Sequence, residues 1–369
     1  MAATRAIQQA LQAAKLDPDG ASGHHDGEVI DVEAREVPTR HAADPSIPVL
    51  PGRSPAPFEP ARAEPVSARG RTVDAEPASA RSRPAEGGPG SFVSGRVGGD
   101  ALAGRDYKLF VPPGAGSRPM PLVLMLHGCT QDPDDFAAGT RMNELARDQG
   151  FFVLYAAQSQ RANPQRCWNW FKHSHQVRGR GEPELLARMV REVMKRHAVD
   201  ADRVYVAGLS AGAAMAAIVA AAYPELFAAV GVHSGLAPGA AKDIPSAFEA
   251  MKKGASGPVR PLPVPTIVFH GEADATVHPA NGRQVITAAD SEGSTSAASE
   301  ELRAQGRRTA VRRVHRDRVG AVVLEHWSIH GAPHAWSGGS PSGSYTDPQG
   351  PDASAQMLRF FLEHPRKSR

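Results

Sequence analysis

The chain has 369 residues, of which 41% are hydrophobic and 22% charged, and its formal net charge is +3. These values are typical of a globular protein and exclude fibrous and collagen-like classes. With only two cysteines, the chain also falls outside the disulfide-rich class. No window approaches the roughly 18 consecutive apolar residues of a transmembrane helix, so we expect no membrane-spanning segment.

The first quarter of the sequence differs in composition from the rest. Residues 1–90 hold 12 of the 32 prolines but only one of the 21 aromatic residues, Phe58. Such a segment cannot bury enough apolar surface to offset the entropy of ordering it. We therefore predict a disordered extension over residues 1–92, with a short amphipathic helix near residues 5–16, and one folded domain over residues 93–369.

The extension also limits the possible partners and compartments. It carries 10 basic and 13 acidic residues within residues 1–90, so it is not a basic arm for nucleic acid. Its short helix is a candidate docking element for a storage granule or a protein partner. Because its first residues lack the continuous apolar core of a secretory signal, a cytoplasmic location is favoured, with an extracellular one as the alternative.

Beyond residue 93, predicted strands alternate with predicted helices. This alternation favours an α/β fold with a mostly parallel, doubly wound sheet. The polar, arginine-rich segment Asp290–Gly320 is expected at the surface as a helix and a hairpin. The predicted elements are strands at Arg105–Val111, Leu122–Leu126 and Phe151–Tyr155, a helix at Glu184–His197, a strand at Arg203–Ala207, a helix at Ala211–Tyr223, strands at Ala228–Val232, Thr266–Phe269 and Val322–Ile329, and a last helix through Met357, Leu358 and Phe361.

A serine lies at one strand-to-helix junction, in Gly208–Gly212 (Gly-Leu-Ser-Ala-Gly). Glycines two positions before and after Ser210 let strand and helix approach, and the sharp turn exposes the hydroxyl beside the helix N-terminus. A structural alternative is a tight turn with a helix-capping serine. The flanking strand and helix favour a nucleophile.

A serine nucleophile needs a histidine base and a carboxylate that orients it. In α/β-hydrolases these follow the serine in the order carboxylate, then histidine. Asp274 lies in the loop after one buried strand, and His334 lies in a Gly/Pro-containing loop after the next predicted strand. His330 is the competitor for the base, but it lies too close to the end of that strand. We therefore predict Ser210, Asp274 and His334 as a catalytic triad.

The oxyanion of an acyl-transfer reaction needs hydrogen-bond donors. One candidate is the amide of Ala211, directly after the serine. The second is the amide of Cys129, in the loop that follows the buried strand Leu122–Leu126.

The combined motifs resemble the polyhydroxybutyrate depolymerase family of esterases, over about residues 100–364. This resemblance implies an α/β-hydrolase fold and the same triad and oxyanion donors, and it implies that Cys129 and Cys167 are a candidate disulfide. The motifs are Leu126–Gln131 (Leu-His-Gly-Cys-Thr-Gln), Arg166–Phe171 (Arg-Cys-Trp-Asn-Trp-Phe), Gly208–Gly212, His270-Gly271 with Asp274 and Val277, and His334–Gly339 (His-Ala-Trp-Ser-Gly-Gly).

Three tryptophans fall in these motifs, and aromatic faces beside a serine site can grip the apolar parts of an ester. Trp168, Trp170 and Trp336 are therefore candidate substrate-binding residues. For Trp168 and Trp170 a packing role stays open, since their spacing would place both on one face of a strand. Trp336, two residues past His334, is the stronger candidate.

These features predict a metal-free serine esterase that cleaves poly(3-hydroxybutyrate)-type polyesters or their oligomers through an acyl-enzyme. The first alternative is an esterase that removes feruloyl or acetyl groups from plant polysaccharide. The second is a non-catalytic protein, tethered to a granule or partner, with a vestigial site. No cofactor is predicted, because the sequence has no HExxH, no paired CxxC and no phosphate-binding glycine loop.

Overall fold

A computed structural model describes residues 89–98, 104–290, 293, 296–302 and 308–366. The helix expected near residues 5–16 and most of the predicted extension lie outside the described residues. The first strand begins at Ser91, inside the segment assigned to the extension. Within the described part of the chain, no helix has the length and apolar character needed to cross a bilayer.

The described residues form strands and helices in alternation. The strands are β1 (Ser91–Val97), β2 (Arg105–Val111), β3 (Met120–Leu126), β4 (Phe152–Ala156), β5 (Val199–Leu209), β6 (Ala229–His233), β7 (Thr266–Gly271), β8 (Ser296–Leu302), β9 (Ala310–Arg316), β10 (Val322–Ile329), β11 (Trp336–Ser337) and β12 (Thr346–Asp347). The α-helices are α1 (Pro133–Thr140), α2 (Met142–Gln149), α3 (Gly181–Arg196), α4 (Ala211–Ala222), α5 (Ile244–Lys253), α6 (Ala280–Ala289) and α7 (Ala353–Glu363).

Ten strands form one sheet in the order β1-β2-β4-β3-β5-β6-β7-β10-β9-β8. The six central strands from β4 to β10 pair in parallel, whereas β1, β2, β9 and β8 pair antiparallel at the two sides. The predicted α/β fold with a mostly parallel, doubly wound sheet is confirmed. All carboxyl ends of the parallel strands therefore meet at one edge, where ligand sites of such sheets lie.

The sheet separates two hydrophobic layers, and β3 shows why. All seven of its residues are buried. Leu122, Leu124 and Leu126 belong to the layer that also contains α3, α4, α5 and α6, whereas Val123 and Met125 belong to the layer of α1, α2 and α7. Alternate residues of a strand point to opposite faces, so a strand buried on both faces reads as one continuous apolar run.

The helix predicted within Asp290–Gly320 is wrong for the described residues of that segment. The hairpin expected there is present, because β8 and β9 pair antiparallel. The nearby helix, α6, ends at Ala289 and buries Val285 and Ile286. The segment after it has no comparable apolar stripe, so its backbone hydrogen bonds are made in the sheet instead.

Candidate active site

Ser210 lies at the carboxyl end of β5, immediately before α4. Its φ is 58° and its ψ is −120°, a backbone conformation that residues other than glycine rarely adopt. Its amide donates a hydrogen bond of 2.9 Å to the carbonyl of His233, at the end of the neighbouring strand β6. The turn therefore holds the serine at the carboxyl edge of the sheet in the strained geometry typical of a nucleophile elbow.

Two glycines permit this turn, as the sequence predicts. A Cβ on Gly208 would come within 2.5 Å of the carbonyl carbon of Gly212 and within 2.7 Å of the carbonyl oxygen of Leu126. A Cβ on Gly212 would collide with the same Leu126 oxygen. Any side chain at either position would push α4 away from β3 and β5, so both glycines are required for the close approach.

Asp274 lies in the loop directly after β7, with no exposed side-chain surface. Its Oδ1 accepts hydrogen bonds from the amides of Thr276 (2.9 Å) and Val277 (2.8 Å), and its Oδ2 lies 2.7 Å from Nδ1 of His334. Burial alone raises the pKa of this carboxyl. The nearby imidazole of His334, through its charge and hydrogen bond, together with His270 and the Val277 amide, outweighs burial and lowers the pKa below its usual range.

His334 follows β10 in a loop that is attached to the Asp274 loop. The amide of Ala273 donates to the carbonyl of Ala332 (3.0 Å), and Gly271 lets that carbonyl approach the backbone closely. Because a carboxylate only accepts hydrogen bonds, Nδ1 of His334 carries the proton that faces Asp274. In the neutral form of the ring, Nε2 of His334 then carries the lone pair and can act as a base.

His330, the competing base, is placed elsewhere. Its Nδ1 lies 2.6 Å from a carboxylate oxygen of Glu272, and both side chains are 45% exposed. It is therefore hydrogen-bonded to Glu272 at the surface, and no hydrogen bond joins it to Asp274 among the described residues.

His233 links the serine turn to the His334 loop, a role that sequence reasoning did not assign. Its carbonyl accepts from the Ser210 amide, and its Nε2 accepts from the amide of Ser337 at 2.9 Å. The ring stacks between Phe269 and Trp336, with centroid distances of 5.7 and 5.1 Å. Burial, followed by the nearby imidazoles of His270 and His334, lowers the pKa of His233 to about 3, so the ring is neutral and Nε2 stays an acceptor.

The loop after β3 lies beside the serine. A Cβ on Gly128 would lie 3.7 Å from Cβ of Ser210. Gly128, Thr130 and Gln131 donate their amides to protein acceptors, whereas the Cys129 amide has none among the described residues. Ala211 is the first residue of α4, so its amide has no acceptor within the helix. Both predicted oxyanion donors are therefore available on the elements that flank Ser210.

His127 fixes the conformation of this loop. Its Nδ1 lies 2.7 Å from the Gly128 carbonyl, and its Nε2 accepts from the amide of Gln158 at 3.1 Å. Burial lowers the pKa of His127 to about 4, against smaller opposing contributions from the Gly128 carbonyl and Asp132. The neutral ring thus joins the ends of β3 and β4 behind the oxyanion donors.

A disulfide joins Cys129 to Cys167 and thereby ties the oxyanion loop to the tryptophan-containing segment. A buried carboxylate, Glu182, anchors the same segment from the start of α3. Its oxygens accept from the backbone amide and side-chain amide of Asn169, both at 2.8 Å, and from Nε2 of Gln158, which also donates to the Cys167 carbonyl. Neither Glu182 nor Gln158 was a candidate from the sequence, because their partners are distant along the chain.

The predicted substrate-binding role of Trp168 and Trp336 is not supported, because both indoles are enclosed by protein. Their exposed fractions are 0% and 1%. Nε1 of Trp168 donates to the His127 carbonyl, and Nε1 of Trp336 donates to Ser354 Oγ. Trp170 is 4% exposed and packs edge-on against Phe171. The segment that holds Trp168 and Trp170 is irregular, so the strand face assumed for them does not exist.

The three predicted triad residues thus lie on loops at one edge of the sheet. Asp274 and His334 are hydrogen-bonded, whereas no hydrogen bond joins Ser210 Oγ to His334 within the described residues. Such contacts are often long before substrate binds and tighten in the reactive complex. His233 accepts hydrogen bonds from both the serine turn and the His334 loop, and so it connects these two segments.

The strand order, the serine turn after β5 and the loops after β7 and β10 define an α/β-hydrolase fold. The family model for "Esterase PHB depolymerase" matches residues 105–312, which is more than half of the chain. The chain belongs to this family. The matched span includes Ser210 and Asp274 and ends before His334.

Similarity to individual proteins agrees with this membership. Over 181 residues the chain is 36% identical to poly(3-hydroxyalkanoate) depolymerase C of Paucimonas lemoignei, covering 45% of this chain and 43% of that protein. Over 197 residues it is 30% identical to a probable acetylxylan esterase A of Aspergillus clavatus, covering 47% of this chain and 61% of that one. The chain therefore spans less than two thirds of these relatives.

A solved structure, an acetyl xylan esterase from Aspergillus awamori, shares the fold. The TM-score is 0.55 at 20% identity, and the alignment covers 73% of this chain and 99% of that one.

Proposed function

We propose that this protein is a serine esterase and that Ser210, Asp274 and His334 are its catalytic triad. Ser210 Oγ attacks the ester carbonyl while Nε2 of His334 takes its proton and then passes it to the departing alcohol. The amides of Cys129 and Ala211 hold the oxyanion. A water molecule, deprotonated by the same nitrogen, releases the acid from the acyl-enzyme.

The hydrogen bond between His334 and the buried Asp274 is the observation that carries this proposal. It places the proton of the neutral ring on Nδ1 and the lone pair on Nε2, and it holds the ring at the edge of the sheet where Ser210 turns out of β5. The alternative of a vestigial site is not favoured, since each group that the reaction needs is present.

The proposal is tested by hydrolysis of a short-chain nitrophenyl ester. Ser210→Ala and His334→Ala should each lower kcat by at least about 10⁴-fold, because the nucleophile or its base is lost. His330→Ala is the matched control and should keep wild-type activity, since His330 is paired with Glu272 at the surface. Substantial turnover by purified Ser210→Ala would refute the assignment.

For the substrate, we propose poly(3-hydroxybutyrate)-type polyesters or their oligomers. This choice rests on family membership and on the 36% identity to a poly(3-hydroxyalkanoate) depolymerase. The expected result is a higher kcat/KM on hydroxybutyrate oligomers and amorphous polyester than on feruloyl esters or acetylated xylan.

A carbohydrate esterase is the second candidate, and a polar cleft favours it. A cavity of about 910 Å³ lies beside the continuation of the oxyanion loop, with Arg105, Asp132, Asp134 and Arg166 among its lining residues. Guanidinium and carboxylate groups suit the hydroxyls of a sugar better than a methyl-bearing polyester. None of its lining residues belongs to the triad. Faster deacetylation of xylan than hydrolysis of hydroxybutyrate oligomers would establish this reading.

For the compartment, the disulfide favours an oxidising environment over the cytoplasm expected from the sequence. Thiol counting on protein isolated from its native location decides between them, since a cytoplasmic protein would carry two free thiols. Docking of the short N-terminal helix on a granule or partner stays a prediction from the sequence.

A further inference from the structure

A second cavity lies behind the triad carboxylate, between β7, β9, β10 and α6. Its volume is about 190 Å³, roughly six times the volume that a water molecule occupies in the liquid. Two buried histidines, His270 and His326, line it together with Arg283 and Arg313. The proposed esterase mechanism uses none of these four side chains.

His270 presents an unpaired acceptor to this region. Its Nε2 lies 2.8 Å from the carbonyl of Val277, which only accepts, so Nε2 carries the proton and Nδ1 carries a lone pair. Nδ1 is buried and has no hydrogen-bond partner, and the side chain is 1% exposed. A buried acceptor without a donor carries a cost in free energy, which a ligand with a hydroxyl group would remove.

His326 presents a second unpaired nitrogen close to the first. It lies on β10, two residues from Ser328, which is paired with His270 across the strands, so both imidazoles lie on the same face of the sheet. Nε2 of His326 is buried and has no partner. A Cβ on Gly282 would lie 2.9 Å from Nδ1 of His270 and 3.1 Å from Nε2 of His326, so the two nitrogens converge on one small region.

The arginines give the cavity a positive character. Arg283 and Arg313 are exposed, and neither has a carboxylate partner in the described part of the chain. Glu272 also lines the cavity, but its carboxylate is paired with His330. Two guanidinium groups therefore remain available for an anion, above one acceptor nitrogen and one nitrogen that donates or accepts according to its tautomer.

We propose that this cavity binds a small oxyanion that also carries a hydroxyl group. The hydroxyl donates to Nδ1 of His270, and the anionic oxygens contact Arg283, Arg313 and the protonated nitrogen of His326. Inorganic phosphate and a hydroxycarboxylate share this chemistry. A metal ion does not fit, since no three His, Cys, Asp or Glu side chains come together as ligands among the described residues.

The cavity is one imidazole away from the candidate active site. Nε2 of His270 lies 3.5 Å from Oδ2 of Asp274, so a ligand on Nδ1 acts on the triad carboxylate through a single ring. The acid released from a hydroxybutyrate ester is a hydroxycarboxylate. That source of the ligand rests on the proposed function, whereas binding of phosphate does not.

Isothermal titration of the full chain at low chloride and pH 7.5 tests the site with sodium phosphate, 3-hydroxybutyrate and butyrate. Phosphate or 3-hydroxybutyrate, or both, should bind, and butyrate should bind at least about tenfold more weakly, because it has no hydroxyl to donate. Arg313→Gln should weaken binding about tenfold. Arg316→Gln is the matched control on the same strand, since Arg316 contacts the Gly320 carbonyl and does not line the cavity.

Gly282→Ala is the second variant, and its added methyl should abolish binding by closing the space between the two histidines. Three results would overturn the proposal: no heat with any anion, which means that the cavity holds solvent only; equal affinity for butyrate and 3-hydroxybutyrate; or binding unchanged by both variants, which would locate the anion elsewhere. The titration does not require turnover. A protein that binds the anion but hydrolyses no ester would therefore refute the proposed function and still support the proposed anion site.

Discussion

Ser210 stands between two regions that are built differently. On one side, the oxyanion flank (residues 127–132 with 163–171) is held by the Cys129–Cys167 disulfide and by the buried carboxylate of Glu182. On the other, the triad flank (residues 271–277 with 330–337) has no covalent cross-link and is held by the buried imidazole of His233 and by backbone hydrogen bonds.

The difference follows from what each flank must do. In the proposed mechanism the oxyanion flank only has to hold backbone amides at fixed positions, and a cross-link serves this purpose. The triad flank contains His334, which in the proposed mechanism exchanges protons with the serine, the leaving alcohol and water. Hydrogen bonds from the backbone and from the neutral ring of His233 hold this flank without a covalent constraint, so the ring of His334 can adjust its position. The two flanks should therefore respond differently to mutation, acid and reductant.

The largest expected effect belongs to the triad flank and comes from Asp274→Asn. The amide side chain would favour the wrong tautomer of His334, and we expect kcat on a nitrophenyl ester to fall about 10⁴-fold. Asp243→Asn, at the exposed start of α5, is the matched control and should keep full activity. A fall of less than about tenfold would show that Asp274 does not orient the base.

Acid should weaken both flanks through their neutral histidines. The pKa of His127 is lowered to about 4 and that of His233 to about 3, whereas an unfolded histidine has a pKa of about 6.5. Below pH 6.5 these two histidines become protonated in the unfolded chain, whereas in the folded chain they stay neutral down to about pH 4. Stability is therefore fully present above that pH and is lost as the pH falls towards 4.

At pH 5 each of these two rings should lower the free energy of unfolding by about 2 kcal/mol, or about 4 kcal/mol together. Urea unfolding at pH 7.5, 6 and 5 measures the loss. Replacement of His233 by glutamine should reduce the measured loss by the contribution of that one ring, about 2 kcal/mol at pH 5. A free energy of unfolding that does not change over this range would contradict the neutral state of both rings.

Reductant should affect the oxyanion flank alone. The disulfide closes a sequence separation of 38 residues, for which chain entropy predicts at most about 4 kcal/mol, and we expect roughly 3 kcal/mol. Denaturant unfolding with and without dithiothreitol tests this, with thiols counted by mass spectrometry. The double variant Cys129→Ala, Cys167→Ala should match the reduced protein and be indifferent to dithiothreitol. Equal midpoints for the oxidised and fully reduced protein would show that the cross-link does not stabilise this flank.

The smallest effect should come from His233, the residue that connects the serine turn to the His334 loop. Replacement by leucine leaves the buried amide of Ser337 without an acceptor, which costs about 1–3 kcal/mol, and we expect kcat to fall roughly tenfold with little change in KM. In His233→Gln the side-chain oxygen can replace Nε2, and most of kcat should return. If both variants behave alike, the hydrogen bond to Ser337 has no positioning role.

Local sequence patterns were enough to predict a mostly parallel, doubly wound sheet and the serine turn, but not the order of the strands in the sheet. The continuous apolar run of β3 and the glycines around Ser210 have direct steric causes, so their structures follow from a few neighbouring residues. Asp274 was predicted because it lies in the loop directly after a buried strand. His334 needed the additional rule that it follows the other two along the chain.

The supports of the site were missed because they act over long sequence distances. His233 bonds to Ser337, 104 residues away, and no periodicity connects the two. The buried network of Glu182 likewise joins the start of α3 to two separate loops. The available signal was a polar residue at one end of an otherwise buried element, namely His233 at the end of β6 and Glu182 in the first turn of α3. The burial of the tryptophans could not be predicted either, since proximity to His334 in the sequence did not give Trp336 an exposed face.

The position of His334 in the chain has a consequence for biosynthesis. Ser210 and both oxyanion donors leave the ribosome first, and 124 further residues separate the serine from the base. At typical rates of translation this interval lasts about 6–25 s. During that time the emerging chain contains Ser210 but not His334. The three residues of the proposed triad can therefore come together only after β10 and the loop that follows it have been synthesised.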